Sequence, residues 1–331
     1  MKNTDELNVV YATDDHYVMQ AAVSMVSLFE NHTDMRFHLF IISDHISRDH
    51  WERLLRIAEK YGHRMDVIEM PDVESRMGVT LSTNGWAKAA YCRLFLCELI
   101  PREIDKLFYI DPDTLVVGDI SGLVEVIRSK EFEGCYLAAC VNSKSYYKRL
   151  HGFKRNEVYY NSGVMLINLG LWREKNIQKV FCDEIRRRNG RSIDPDQSYI
   201  NCVLMSRTMV LPAKFNVVSL YCSGYGEFLK KSGYRPEETY AETELEDAVK
   251  NPVIIHFEGG RENKPWYQGC RHGMKEEWFR YLRTTEWSSF IPDGTASGEK
   301  DHPLSIVKGL IVKKLIQSRF GAKLYVKYKY G

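Results

Sequence analysis

No apolar run in this sequence reaches the roughly 18 uninterrupted residues that a membrane-spanning helix needs. A soluble protein is therefore expected. The opening residues, MKNTDELNVVYATDD, lack both the charged start and the apolar core of about 7–15 residues that mark a secretory signal. A chain made and kept in the cytosol is therefore expected. Net charge is nearly absent too: 46 Lys and Arg against 44 Asp and Glu leave a formal +2. A field of that size does not recruit nucleic acid, so no nucleic-acid partner is expected. Eight cysteines occur, but none form a C-x-x-C pair and all lie scattered along a long chain. This argues for reduced core residues rather than a disulfide framework or a zinc site. There is no internal repeat, and no low-complexity stretch before PDGTASGEKDHP at 292–303.

What is present is core-forming material. Hydrophobic residues make up 44% of the 331 and aromatics 12%, enough for one large α/β domain or two modest ones. Strand-like runs at 8–13, 37–43, 65–70 and 107–110 alternate with helix-length amphipathic segments at 21–32, 48–61 and 86–100. Ser47 is placed to cap the second helix, Gly62 to stop it, and Pro101 to end the third. Further strand-like runs follow at 135–141, 164–169 and 253–257. Such alternation predicts a largely parallel sheet flanked by helices, with ligands bound beyond the carboxyl ends of the strands.

Acids stand at two of those ends, Asp14-Asp15 after the first strand and Asp111-Pro112-Asp113 after the fourth. In an extended chain, residues i and i+2 share a face about 6.6 Å apart, so two short carboxylates can converge on one ion. Proline between them fixes φ and removes a ladder donor where the strand must open. An oxygen-rich site of this kind suits Mn²⁺ or Mg²⁺, which accept phosphate oxygens as further ligands. A plain turn is the competing reading. A phosphatase of the haloacid-dehalogenase type is another, though Thr114 stands where that pattern carries glycine.

Six stretches in order, VVYATDDHY (9–17), AAYCRLFL (89–96), YIDPDTLV (109–116), YYNSGVMLINL (159–169), DPDQSYIN (194–201) and HFEGGRENKPW (256–266), make the sequence resemble the retaining family 8 glycosyltransferases. That group holds bacterial lipopolysaccharide glucosyl- and galactosyltransferases and glycogenin. The resemblance implies a GT-A type fold: a Rossmann-like, mixed, mostly parallel sheet flanked by helices, here with a small C-terminal helical and basic extension. It also implies Mn²⁺ (or Mg²⁺), a UDP-sugar donor such as UDP-glucose or UDP-galactose, and a glycan acceptor. By the same resemblance Asp111, Asp113 and His256 hold the metal, and Ala12, Asp14, Asp15 and Tyr17 meet the nucleotide. Lys264 supports the diphosphate with Gly259 or Gly260. Lys88, Arg93, Asn161, Asp196 and Gln197 surround the donor sugar, with Arg93, Asp196 and Gln197 nearest the chemistry. An amide at 197 is a poor nucleophile and favours attack from the face the diphosphate leaves. The spacing departs from the family at 256–264, where seven residues separate His256 from Lys264 and include Arg261 and Glu262.

The expected division is a catalytic domain over 1–270, a helix and linker over 271–302, and a basic amphipathic tail over 303–331. That tail carries seven Lys or Arg, no acid, and interleaved apolar residues. It suits an anionic lipid surface and hence a peripheral position at the inner face of the cell membrane, with a lipid-linked saccharide as acceptor. A catalytically silent sugar-nucleotide binder with the same fold is the alternative from another functional class.

Overall fold

A computed structural model describes residues 6–70, 72–83 and 88–292, together with positions 321, 324 and 325. Its strands are β1 (Glu6–Asp14), β2 (Arg36–Asp44), β3 (Arg64–Glu69), β4 (Lys106–Ile110), β5 (Thr114–Val116), β6 (Leu137–Val141), β7 (Tyr160–Asn168), β8 (Thr208–Val210), β9 (Val217–Val218) and β10 (Ile254–His256). Seven of them form one sheet in the order β3-β2-β1-β4-β7-β6-β8. β3, β2, β1 and β4 run parallel, while β7 is antiparallel to both β4 and β6. The sheet is thus mixed, with its parallel half at the N-terminal side.

Period-two alternation sends β1 into two separate cores. Val9 and Tyr11 join the helix Val18–Glu30 on one face, whereas Val10 and Ala12 pack with Tyr91, Phe95 and Trp172 on the other. β7 is buried along all nine residues, as a strand covered on both faces must be. Its polar residues Asn161, Ser162 and Asn168 are consequently all hydrogen-bonded. The helix Arg48–Lys60 begins at Ser47, whose hydroxyl accepts from the His50 amide. All eight cysteines are free thiols.

Residues 86–100 depart from the expected α-helix. Lys88–Phe95 winds as a 3₁₀ helix and only Leu96–Leu99 is α-helical, while 84–87 lie outside the described residues. Tyr91 through Leu96 are all buried, so this segment has no solvent stripe to hold a 3.6-residue period.

The chain changes sheets at the D-P-D triplet. β4 ends at Ile110, and β5 leaves to form a small three-stranded sheet, β5-β10-β9. There β10 runs antiparallel to β5, with His256 opposite Thr114, and the Phe257 amide donates to the Asp113 carbonyl. That register carries His256 to the two aspartates from more than 140 residues away along the chain.

The helix Lys275–Leu282 packs on the same core as the N-terminal strands through Trp278, Tyr281 and Leu282. Of the expected basic tail, only positions 321, 324 and 325 are described, and Tyr325 packs beside Leu150, Tyr146 and Ile193. No helix among the described residues is long and apolar enough to cross a membrane.

Candidate functional site

At the carboxyl ends of β1 and β4 lies a cavity of about 420 Å³. Its lining draws on the turn after β1, the 3₁₀ helix, the D-P-D triplet, the start of β7, the helix Pro195–Leu204 and the loop after β10.

Asp111, Asp113 and His256 each offer one ligand atom, and these atoms lie within 4.8 Å of one another. The His256 ring is held in the orientation a metal requires. Its Nδ1 sits 3.0 Å from the Asn216 Oδ1, while the Asn216 amide nitrogen donates to Asn161 at 2.8 Å. That second bond fixes the Asn216 amide, so its oxygen accepts from Nδ1–H and Nε2 is the nitrogen turned to Asp113, 3.3 Å away, where a cation would take the place of its proton. Two carboxylates with one imidazole suit a hard or borderline divalent cation, so the residues present fit the expected metal.

The surrounding charges explain why Asp113 stays ionised. Burial alone would raise the Asp113 carboxyl, but Lys264 at 3.1 Å and His256 outweigh it and hold it well below the ordinary carboxylate range. For His256, burial opposes the proton, yet the Asp113 carboxylate prevails and raises its pKa. Lys264 also reaches the Tyr17 hydroxyl at 3.2 Å and lies over the Tyr17 and Trp266 rings. Arg93 is only 4% exposed. It donates to Asp111 at 2.9 Å, contacts Asp196 at 3.1 Å and rests on the Tyr109 ring. A surface partner for Arg93 is thereby ruled out.

The sugar-facing candidates form a fixed network. Ser162 donates through its hydroxyl to Asp196 and through its amide to the Gln197 Oε1 at 2.9 Å. The Gln197 nitrogen then donates to Asp194. Asp196 thus spends its carboxylate on Arg93 and Ser162, not on capping its helix. Asn161 accepts from the Gly163 amide and from Asn216, and its nitrogen faces Glu258 at 3.3 Å. The Asp14 carboxylate accepts from the amides of His16 and Tyr17 in the turn that leads into the helix Val18–Glu30.

Ala12, Asp14, Tyr17, Arg93, Asp111, Asp113, Asn161, Asp196, Gln197, His256, Gly259 and Lys264 all line this cavity. Three residues expected at the ligand lie outside the lining. Asp15 turns away to the Ser47 amide and the His50 ring, Lys88 pairs with Glu74, and Gly260 faces the Glu262 side chain. The extra length of the 256–264 loop leaves Gly259, at φ +103°, as the lining glycine.

Sequence reasoning passed over several participants. Ser162 and Gly163 stood inside a quoted motif, and the Gly163 carbonyl accepts from the Asp111 amide at 2.7 Å. Asp194 and Glu258 also stood inside such stretches with no role assigned, whereas Asn216 and Lys144 lay outside all six, and only the fold brings them here.

A mixed sheet of this order, with an acid pair at the sheet switch and a cavity beyond the strand ends, defines a GT-A type glycosyltransferase. The chain belongs to glycosyl transferase family 8, whose profile matches residues 8–270. It is 26% identical over 324 residues to a lipopolysaccharide 1,2-glucosyltransferase of Escherichia coli, covering 97% of this chain and 91% of that one. It is 27% identical to general stress protein A of Bacillus subtilis, covering 87% and 97% respectively. Among solved structures it is similar to the galactosyltransferase LgtC in complex with donor and acceptor sugar analogs. That likeness has a TM-score of 0.71 at 22% identity and covers 86% of this chain and all of that one.

Proposed function

We propose that the chain is a retaining hexosyltransferase that moves glucose or galactose from a UDP-sugar to a glycan acceptor of the cell envelope. The observation that carries this reading is the convergence of Asp111, Asp113, His256 and Lys264 in one cavity that Asp14 also lines. Names of relatives that extend lipopolysaccharide support the acceptor class.

In this reading Asp111, Asp113 and His256 hold Mn²⁺, which when bound offsets the negative charge of the diphosphate. Lys264 adds a fixed positive charge where the leaving oxygen gains its electron pair. Asp14 and the backbone of the β1 turn receive the nucleoside, while Arg93, Asn161, Asp196 and Gln197 orient the sugar. During transfer the acceptor oxygen bonds to the anomeric carbon as the bond from that carbon to the phosphate oxygen breaks. The leaving diphosphate takes the electron pair and then the acceptor proton. Gln197 is an amide, and Asp196 is already bound by Arg93 and Ser162. Both facts favour attack on the face the diphosphate leaves over a covalent enzyme intermediate.

The test is UDP release from UDP-glucose and UDP-galactose by the purified chain, with Mn²⁺ or with EDTA, beside Asp113→Asn. Slow hydrolysis of one donor, lost with EDTA and in the variant, is the expected result. Mn²⁺-dependent UDP binding with no turnover of any donor would instead make the chain a silent sugar-nucleotide binder. The basic residues of 303–331 support a place at an anionic membrane surface. Sedimentation with phosphatidylglycerol vesicles, with and without that segment, tests this placement.

A further inference from the structure

The reaction as read above leaves three charged residues of the cavity unused: Lys144, Asp194 and Glu258. Lys144 is committed to Glu258 at 3.1 Å, and the Ser143 hydroxyl donates to the same carboxylate at 3.0 Å. Among the described residues, every carboxylate of the cavity has a cationic partner except Asp14 and Asp194. Asp14 is satisfied by two backbone amides. Asp194 has only the neutral Gln197 nitrogen on one of its oxygens. Burial raises the Asp194 carboxyl to about 7, and Asp196 and Glu258 add to that effect against Lys144 and Arg93. An acid so placed gains from any hydroxyl or ammonium group brought to it and loses from any further anion.

We infer that Asp194, beside the Lys144–Glu258 pair, is a specificity-determining residue that admits a neutral or basic sugar as acceptor and rejects an acidic one. Above pH 7, where the Asp194 carboxyl is ionised, two acids against one base give this end of the cavity an excess of negative charge. The other lysine and arginine of the cavity, Lys264 and Arg93, are both committed to the aspartates of the reaction centre. A sugar hydroxyl or ammonium supplies the donor that the free oxygen of Asp194 lacks. A uronate carboxylate brought to contact range meets a like charge in a partly desolvated site, which costs on the order of a thousandfold in binding at an effective dielectric near 20, before attraction to Lys144 offsets part of it.

This inference rests on the hexosyltransferase reading, and donor hydrolysis without acceptor tests that reading by itself. The experiment compares kcat/KM at about pH 8, above the Asp194 value, for methyl β-glucoside, methyl β-glucosaminide and methyl β-glucuronide, and for the matching galacto series, with the donor that is hydrolysed. The glucoside and glucosaminide are expected to exceed the glucuronide at least tenfold. Asp194→Asn is expected to narrow that gap about tenfold, and Lys144→Met, which removes the local positive charge, to widen it. Each ratio is internal to one protein, so general damage to folding cancels. A wild-type chain that uses the glucuronide as well as the glucoside would overturn the inference. An unchanged ratio in Asp194→Asn would do the same, since a purely structural Asp194 lowers all three acceptors together. Absence of any donor hydrolysis would overturn the underlying reading instead.

Discussion

At the scale of single residues, the site depends on atoms that no motif announces. Asn216 touches neither the cavity nor the acids, yet it selects the His256 tautomer whose Nε2 can bind a cation. Asn216→Ala removes that support and is expected to weaken Mn²⁺ binding about 10- to 100-fold while all three ligands remain. Mn²⁺ titration followed by calorimetry checks it, and unchanged affinity would make the Asn216 contact incidental. Gly163 makes a steric argument of the same kind. A Cβ there would sit 2.5 Å from the His256 Cε1 and 2.9 Å from an Asp111 oxygen. Gly163→Ala must therefore push His256 or Asp111 out of place. We expect it to abolish Mn²⁺-dependent UDP release while the circular dichroism spectrum stays native; retained activity would mean that the ligands can shift without loss. The acids, His256, Arg93 and Lys264 were legible because each is a charged or ligating type at a strand end or within a distinctive stretch. Asn216 was not, because a lone amide outside every such stretch acquires meaning only from the register of β10 with β5 and β9.

At the scale of elements, most strands and helices could be read from periodicity, because the segments that build the parallel half bury whole runs or clear stripes. The Ser47 cap was legible for a local reason, a hydroxyl immediately before an amphipathic helix, and the structure adds a tie from Asp15 to the Ser47 amide and the His50 ring. Ser47→Ala is expected to cost roughly 1 kcal/mol. In a domain of this size that is a fall in Tm of about 2 °C, with the affinity for UDP in the presence of Mn²⁺ unaltered. A drop in that affinity would mean that the β1 turn, held by Asp15, transmits the damage to Asp14. The antiparallel insertion of β7 between β4 and β6 was the element-scale feature that local patterning could not supply. A buried strand reads the same in either direction, and only pairing fixes its sense.

At the scale of the whole molecule, stability should depend on pH through histidines of opposite sign. His151 lies under the helix Pro195–Leu204, bonded to Ser198 at 3.0 Å and stacked on Tyr159. Burial, aided by Arg188, pulls its pKa down to about 3. Between that value and the unfolded value near 6.5 the unfolded chain binds a proton that the folded one does not, so acidification through this window destabilises the fold. His256, with its pKa raised by Asp113, acts the other way in the metal-free protein. Its contribution is full below the unfolded pKa and is lost as pH rises through the folded one. Asp113, whose pKa is depressed, contributes above the ordinary carboxylate range and loses that contribution only as the pH falls below it. Comparing wild type with His151→Gln between pH 6.5 and 4.5 therefore isolates one proton. The variant is expected to lose the acid-side slope by about 1.4 kcal/mol per pH unit, whatever its absolute stability. Urea unfolding at four pH values measures this directly. Parallel curves for the two proteins would show that His151 takes up its proton in the folded state, and that the packing of Tyr159 and Ser198 around it yields more easily than its burial implies.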